Sequence, residues 1–207
     1  MSGGDGIITG KNATLLNCSV GGSQSSGITV GNGSALTNCT ANSNGAGGIV
    51  ALDDCVISTC TAIGNTGDGV SVGDGCNVLP CVVDGNTAHG ISVGLGCTVR
   101  GSRVRTNPLN GIQSGAGGQI LDNLCDSNGL AAGTQTNILI AGDSCRVEDN
   151  SVVGGDRGIA ATGGGNLIIR NSVRGGTNPH GGIAGGNDVG PIGSAATATN
   201  PWANILY

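Results

Sequence analysis

The sequence contains no Phe, one Trp (Trp202), one Tyr (Tyr207) and one Lys (Lys11), and only 10% of its 207 residues are charged. A core without large rings cannot be anchored on aromatic packing, and so little charge ill suits the polar faces of a helical bundle. Neither an aromatic-anchored sandwich nor a bundle is therefore expected. Seven Arg and that one Lys, in a chain of net charge -5, leave no basic stripe for a phosphate backbone. The missing rings also remove base-stacking platforms, so nucleic acid is not an expected partner. No apolar run approaches the roughly 18 residues of a membrane span, and no membrane insertion is expected. The opening Met1-Ser2-Gly3-Gly4 lacks the charged-then-apolar pattern of a signal peptide.

What the chain has in excess is glycine, 43 residues, beside 37% apolar residues. Such a composition reads as disorder unless the glycines are periodic, in which case it builds a repeat fold. A Gly followed by Ile or Val recurs at Gly6, Gly27, Gly48, Gly69, Gly90 and Gly111, each 21 residues after the last; the pattern resumes at Asn137 and Gly158, again 21 apart. This gives eight coils, with a five-residue insertion around Leu130 to Gln135 in the sixth.

Within each unit the residues alternate with the strand period of two. Successive strands are exemplified by Val70-Ser71-Val72, Cys76-Asn77-Val78 and Cys81-Val82-Val83, with a glycine corner such as Gly73-Asp74-Gly75 between the first two. Three such short strands cannot enclose a core alone, but stacked on their copies they can. The stacking is visible as columns: Cys18, Cys39, Cys60 and Cys81; Cys55, Cys76 and Cys97; Asn44, Asn65, Asn86, Asn107 and Asn128. A buried Asn column is physically sensible, because each amide donates to one neighbouring coil and accepts from the other.

This three-strand coil with its Asn column resembles the right-handed parallel β-helix of the pectate-lyase-like superfamily, above all its uncharacterised bacterial members, over about residues 6 to 176. The resemblance implies an all-β solenoid of about eight 21-residue coils, right-handed like other parallel crossovers, and a secreted or cell-surface location. At about 4.8 Å per coil the rod is ~38 Å long. The coils are assigned to residues 1-176. A C-terminal capping segment is assigned to residues 177-207, where the repeat dissolves, with Trp202 as the expected plug. The first coil has no cap, which implies either upstream coils or self-association through that exposed end.

Nine Cys is an odd number, so at least one thiol is unpaired within the chain. Column neighbours about 4.8 Å apart at Cβ are farther apart than a disulfide prefers, and columns diverge from the single point a zinc site needs. The thiols are expected to stack inward as small hydrophobes, with no metal bound there.

The charges gather in the later coils. Asp122, Asp149, Glu148, Arg146 and Arg170 are the candidate catalytic residues, and Arg100, Arg103, Arg105 and Asp126 the candidate binding residues. By register Arg105 stacks beside Asp126, and Asp149 lies between Asp122 and Arg170. Two carboxylates in adjacent coils flanked by Arg are what a glycosidase pair or a calcium-assisted lyase requires; calcium is the one cofactor this pattern admits. The simpler reading is an alternating-sign surface ladder, since no His or aromatic stands beside the cluster to hold a sugar ring. Ala88-His89-Gly90-Ile91-Ser92 is similar to a polygalacturonase motif. That family's other motifs are missing and Asp53-Asp54 fall in a different column, so His89 is read as a turn residue. Enzymes of this fold usually enclose substrate with long loops, and only coil six departs from a minimal coil. The leading expectation is a non-catalytic structural or carbohydrate-binding segment of a larger protein. The alternatives are a lyase or glycoside hydrolase acting on an acidic polysaccharide, and a phage tailspike-like fibre segment.

Overall fold

The computed structural model describes residues 3–131, 135–176, 178–194 and 198–206. Among them the strands form three parallel sheets. Eight strands run from Ile7–Ile8 to Arg157–Ala161, nine from Thr14–Leu16 to Asp188–Val189, and ten from Ser19–Gly21 to the tail strands Ile192–Ser194 and Asn204–Leu206. Each strand pairs with its own equivalent one coil away, as Val70, Ser71 and Val72 do with Ile91, Ser92 and Val93. The chain is thus an all-β parallel solenoid, and no described helix is long and apolar enough to cross a membrane.

The core follows from the alternation. Each coil turns at least one residue per sheet fully inward: Ile49, Ile57 and Ala62, then Val70, Val78 and Val83, then Ile91, Val99 and Val104, all at most 1% exposed. Three aliphatic columns meeting at the axis fill a narrow cross-section, which is why the core is built without Phe. The periodic glycine has a separate cause. A Cβ at Gly69 would stand 2.3 Å from Val83 Cγ1, 2.6 Å from Asn86 Nδ2 and 2.8 Å from the Gly90 carbonyl oxygen. Only hydrogen fits where the backbone passes over the Asn column. At the corner, Gly75 is needed for its φ of 66°.

The polar columns are continuous hydrogen-bond ladders. Asn65 Oδ1 accepts from the Asn44 backbone N–H (3.0 Å) and from Asn44 Nδ2 (2.8 Å), while Asn65 Nδ2 donates to the Ala41 carbonyl (2.9 Å) and to Asn86 Oδ1 (2.8 Å). Past the insertion, of which residues 132–134 lie outside the described residues, Asn137 supplies the next rung by accepting from Asn128 N–H and Nδ2. Asn137 therefore stands in for both the missing glycine and the missing ladder Asn. A further residue is added at the next corner, 141–144. The offset between coils is 26 residues at Asn110 and Thr136, but 27 at Asn123 and Asn150.

The cysteines do more than fill space. All but the half-buried Cys18 are buried, and all nine are free. Those of the two columns sit just before their strands, and in several the sulfur accepts the backbone N–H of the preceding coil: Cys55 N–H to Cys76 Sγ (3.2 Å), Cys76 N–H to Cys97 Sγ (3.3 Å) and Cys39 N–H to Cys60 Sγ (3.4 Å). Farther along the same columns Ser and Asn take over. Ser102 Oγ accepts from Cys81 N–H, Asn123 from Ser102, Asn150 from Asn123 and Asn171 from Asn150. The thiols are ladder rungs, and the expectation of plain hydrophobes is corrected accordingly.

The tail does not stop the repeat; with it the solenoid has about nine turns, one more than the coils counted in the sequence. Asp188–Val189 extends the second sheet, Asn178 and Ile183 bridge to the first, and Asn204–Leu206 inserts between Ser172–Arg174 and Ile192–Ser194 in the third. Asn204 is the last rung, accepting from Asn171 N–H (3.0 Å) and Nδ2 (3.1 Å). Ala203 and Asn204 are buried, but Trp202 is 49% exposed and does not plug the core.

Two stability measurements follow. Cys97→Ser should cost within about 1 kcal/mol, whereas Cys97→Val, which strands the buried Cys76 N–H, should cost about 1–3 kcal/mol. Equal costs in denaturant unfolding would refute the rung assignment. Asn86→Leu removes the acceptor of two Asn65 donors and should cost more than about 2 kcal/mol by the same measure.

Candidate functional site

The candidate catalytic residues and Arg100 lie on the outer face of the second sheet and at the corner leading to the third, while Arg103, Arg105 and Asp126 lie on strands of the third. That corner places a residue in left-handed conformation in most coils, including Gly101, Asp122, Asp149 and Arg170, with φ of 65°, 56°, 56° and 56°. Asp tolerates this conformation, whereas for Arg170 it is a strained one that needs compensating contacts.

Those contacts tie four of the five candidate catalytic residues into one network. Arg170 Nε donates to Asp149 Oδ1 (3.0 Å) and Arg170 Nη2 to Asp149 Oδ2 (2.8 Å), a bidentate pair. Arg170 Nη2 also forms an ion pair with Glu148 Oε1, and Arg146 Nε donates to Glu148 Oε2. Glu148 is 5% exposed, lying on the sheet beneath both guanidinium groups. Asp122, the fifth, is held by Arg100 Nε at 2.9 Å in the neighbouring coil. The hydrogen bond to Glu148 strengthens the basicity of Arg146, and that to Asp149 does the same for Arg170.

The binding candidates divide. Arg105 and Asp126 are register partners, but the Arg105 side chain turns the other way, with Nε and Nη2 donating to Asp84 Oδ2 at 3.0 and 2.7 Å. Asp126 instead accepts from Ser127 Oγ at 2.8 Å. Arg103 is exposed on the third sheet with no ion-pair partner among the described residues. His89 is a rung: its Nδ1 accepts from Asn110 N–H (3.1 Å) and its own N–H donates to Asp68 Oδ1 (2.9 Å). Asp53 is likewise occupied, accepting from Asp74 N–H and Asn32 Nδ2.

The aromatic group that the sequence reading did not find beside the cluster arrives from the tail. The Arg170 guanidinium lies 5.4 Å from the centroid of the Trp202 ring, within cation–π range. The signal was the Asn column: placing Asn204 as the rung after Asn171 sets Trp202 level with Ile169, beside Arg170.

Chemically, the cluster is suited to holding anions and hydroxyls rather than to moving protons. A glycosidase pair needs two carboxyl groups about 5 to 9.5 Å apart across a scissile bond, one of them free to lose or gain a proton. Glu148 and Asp149 are consecutive and share Arg170, with Arg146 as a second partner of Glu148. The same pairing leaves them poorly suited to calcium, and no three His, Cys, Asp or Glu among the described residues converge on a metal geometry.

The family described as the right handed beta helix region matches residues 2–128. The chain belongs to that family. No curated protein matches the sequence. Among solved structures, the fold is similar to the A-module of Azotobacter vinelandii mannuronan C-5 epimerase AlgE6, with TM-score 0.75 and 18% identity over 97% of this chain and 59% of that one. It is also similar to the AlgE4 A-module of the same organism, at 0.69 and 18% over 86% and 64%. The periplasmic alginate epimerase AlgG gives 0.70 and 12% over 94% and 49%. At these identities the likeness is one of fold, and this chain spans about half to two thirds of each of those chains.

A pH dependence follows from the Asp84 pair. Burial pushes the Asp84 carboxyl up, but the hydrogen bonds and charge of Arg105, with the Thr106 hydroxyl, outweigh it and hold the group below the ordinary carboxylate range. A depressed folded-state value means the pair's stabilisation is complete above that range and is lost as pH falls through the folded value. The stability gap between wild type and Asp84→Asn should therefore be constant at neutral pH and close below about pH 4. A gap unchanged down to the acid transition would contradict the pairing.

Proposed function

We propose that this chain binds an acidic polysaccharide along its arginine-bearing face without cleaving it, as a segment of a larger secreted or surface protein. The observation that supports the reading is that all three candidate catalytic acids are ion-paired. Asp122, Glu148 and Asp149 are each held by Arg, as is Asp84, while Arg103 and the outer guanidinium edges remain open. All seven Arg fall between Arg100 and Arg174, whereas residues 1–99 carry Lys11 as their only Lys or Arg. The anion-binding face is thus confined to the later coils although the whole chain is acidic. The fold neighbours, mannuronan and alginate epimerases, make those uronate polymers the first to test, and the periplasmic location of AlgG is consistent with a secreted role.

The second reading, an enzyme acting on such a polymer, is favoured by the same neighbours, whose fold matches 97% and 94% of this chain. A panel of alginate, polygalacturonate and neutral dextran separates the two when retention and the release of unsaturated or reducing ends are both measured. The expected result is retention of the acidic polymers alone, weakened by salt and by Arg100→Ala with Arg103→Ala, and no product. Product release abolished by Asp149→Asn would overturn the non-cleaving reading.

A further inference from the structure

The tail and the outer face of the second sheet enclose a pocket of about 440 Å³, lined among others by Arg146, Leu167, Ile169, Asp188, Pro191 and Trp202. Its floor is set by register. Arg146, Leu167 and Asp188 occupy one column in three successive coils, so a cation and an anion stand two strand spacings apart, roughly 10 Å between backbones, with Leu167 between them. Ile169 lies beside Leu167 on the same strand face, and Trp202 and Pro191 make the wall.

The polar groups are uncommitted where they face the pocket. Arg146 spends Nε on Glu148, its side chain is 45% exposed, and its terminal nitrogens have no partner among the described residues. Asp188 is exposed and takes part in no ion pair among the described residues. Trp202 has the Arg170 guanidinium over its ring, yet about half of its surface remains open. The Arg170 contact and the Trp202 carbonyl, which accepts from Arg170 N–H at 3.3 Å, hold the indole in place before any ligand arrives.

The geometry points to a subsite for a single hexuronic acid unit of the polymer. The Arg146 guanidinium would receive the sugar carboxylate, the indole and Ile169 the apolar C–H face of the pyranose ring, and Asp188 the ring hydroxyls as acceptor. A neutral sugar leaves Arg146 without its anion, and a simple carboxylate lacks the ring that the indole matches, so both charge and ring are required for full affinity. This subsite rests on the reading of the chain as an acidic-polysaccharide binder and adds to it a defined single-unit site at the end of the rod.

Trp202 is the only Trp in the sequence, so its fluorescence reports this pocket alone. Titrating the full chain with a mannuronate trisaccharide should give a saturable change in emission, while a neutral glucan trisaccharide gives none. Arg146→Gln, which leaves Glu148 its Arg170 partner, should weaken the trisaccharide by about tenfold or more. Its thermal unfolding should stay near that of wild type. Asp188→Asn should weaken it less and preserve the preference for uronate. Equal affinity for the two trisaccharides, or an Arg146→Gln titration matching wild type, overturns the subsite. Retention of alginate polymer with no Trp202 response to the trisaccharide would remove the subsite and leave the polymer-binding reading standing. Absence of both would remove both.

Discussion

Each strand in this chain pairs with its own equivalent one coil away, so every side chain is flanked by members of its own column. A column position must therefore hold a residue that tolerates its own copy about 4.8 Å above and below. Aliphatic residues satisfy this without penalty, which gives the Ile and Val columns. A buried polar column must both donate and accept, because half-satisfied groups are costly at 0–1% exposure. Asn meets the condition best, and Ser and Cys meet it with one hydrogen each. Like charges repel when stacked, and where Asp122 and Asp149 follow one another in the corner column each is ion-paired with an Arg, Asp122 with Arg100 and Asp149 with Arg170.

The charged corner is thus first a solution to stacking and only then a site. Flanking the stacked acids with Arg brings guanidinium groups and carboxylates into contact. The same geometry leaves the outer edges of the guanidinium groups turned to solvent, where bidentate recognition of a further carboxylate is available. Affinity for an anionic polymer is the role proposed for such a ladder. The strained Arg170 has the most compensating partners, two carboxylates and an indole, which accounts for an Arg in a left-handed position.

Much of the fold could be read in the sequence because translational repetition writes itself directly as a period. The strand positions, the inward columns and the Asn ladder all follow from counting 21. What escaped the count has physical causes. The cysteines looked like hydrophobes because residue type, and not column position, was used to judge them; Ser102 and Asn123, in the next two coils of the Cys81 column, carry the information that the position is a hydrogen-bond acceptor. Register fixes Cα neighbours but not the direction of a long side chain, so counting pairs Arg105 with Asp126 although its guanidinium reaches Asp84 on the other side. The ninth turn was obscured by the excursion through Ile192–Ser194, which makes the last ladder step 33 residues long instead of 21.

That excursion also explains where a specific site can arise on such a molecule. A perfect solenoid presents the same surface at every coil, so a ligand bound at one register is bound almost equally well one coil away. A long polymer benefits from this, since many weak contacts act together, but a single sugar unit finds nothing to distinguish one coil from the next. Selectivity for one unit needs the repeat to be broken. Here the break is the tail, which brings the only Trp of the chain onto the second sheet and ends the Arg146, Leu167 column with a carboxylate at Asp188. On the proposed function, the arginine-bearing coils would meet the length and charge of a polymer, and the irregular tail the identity of an individual unit.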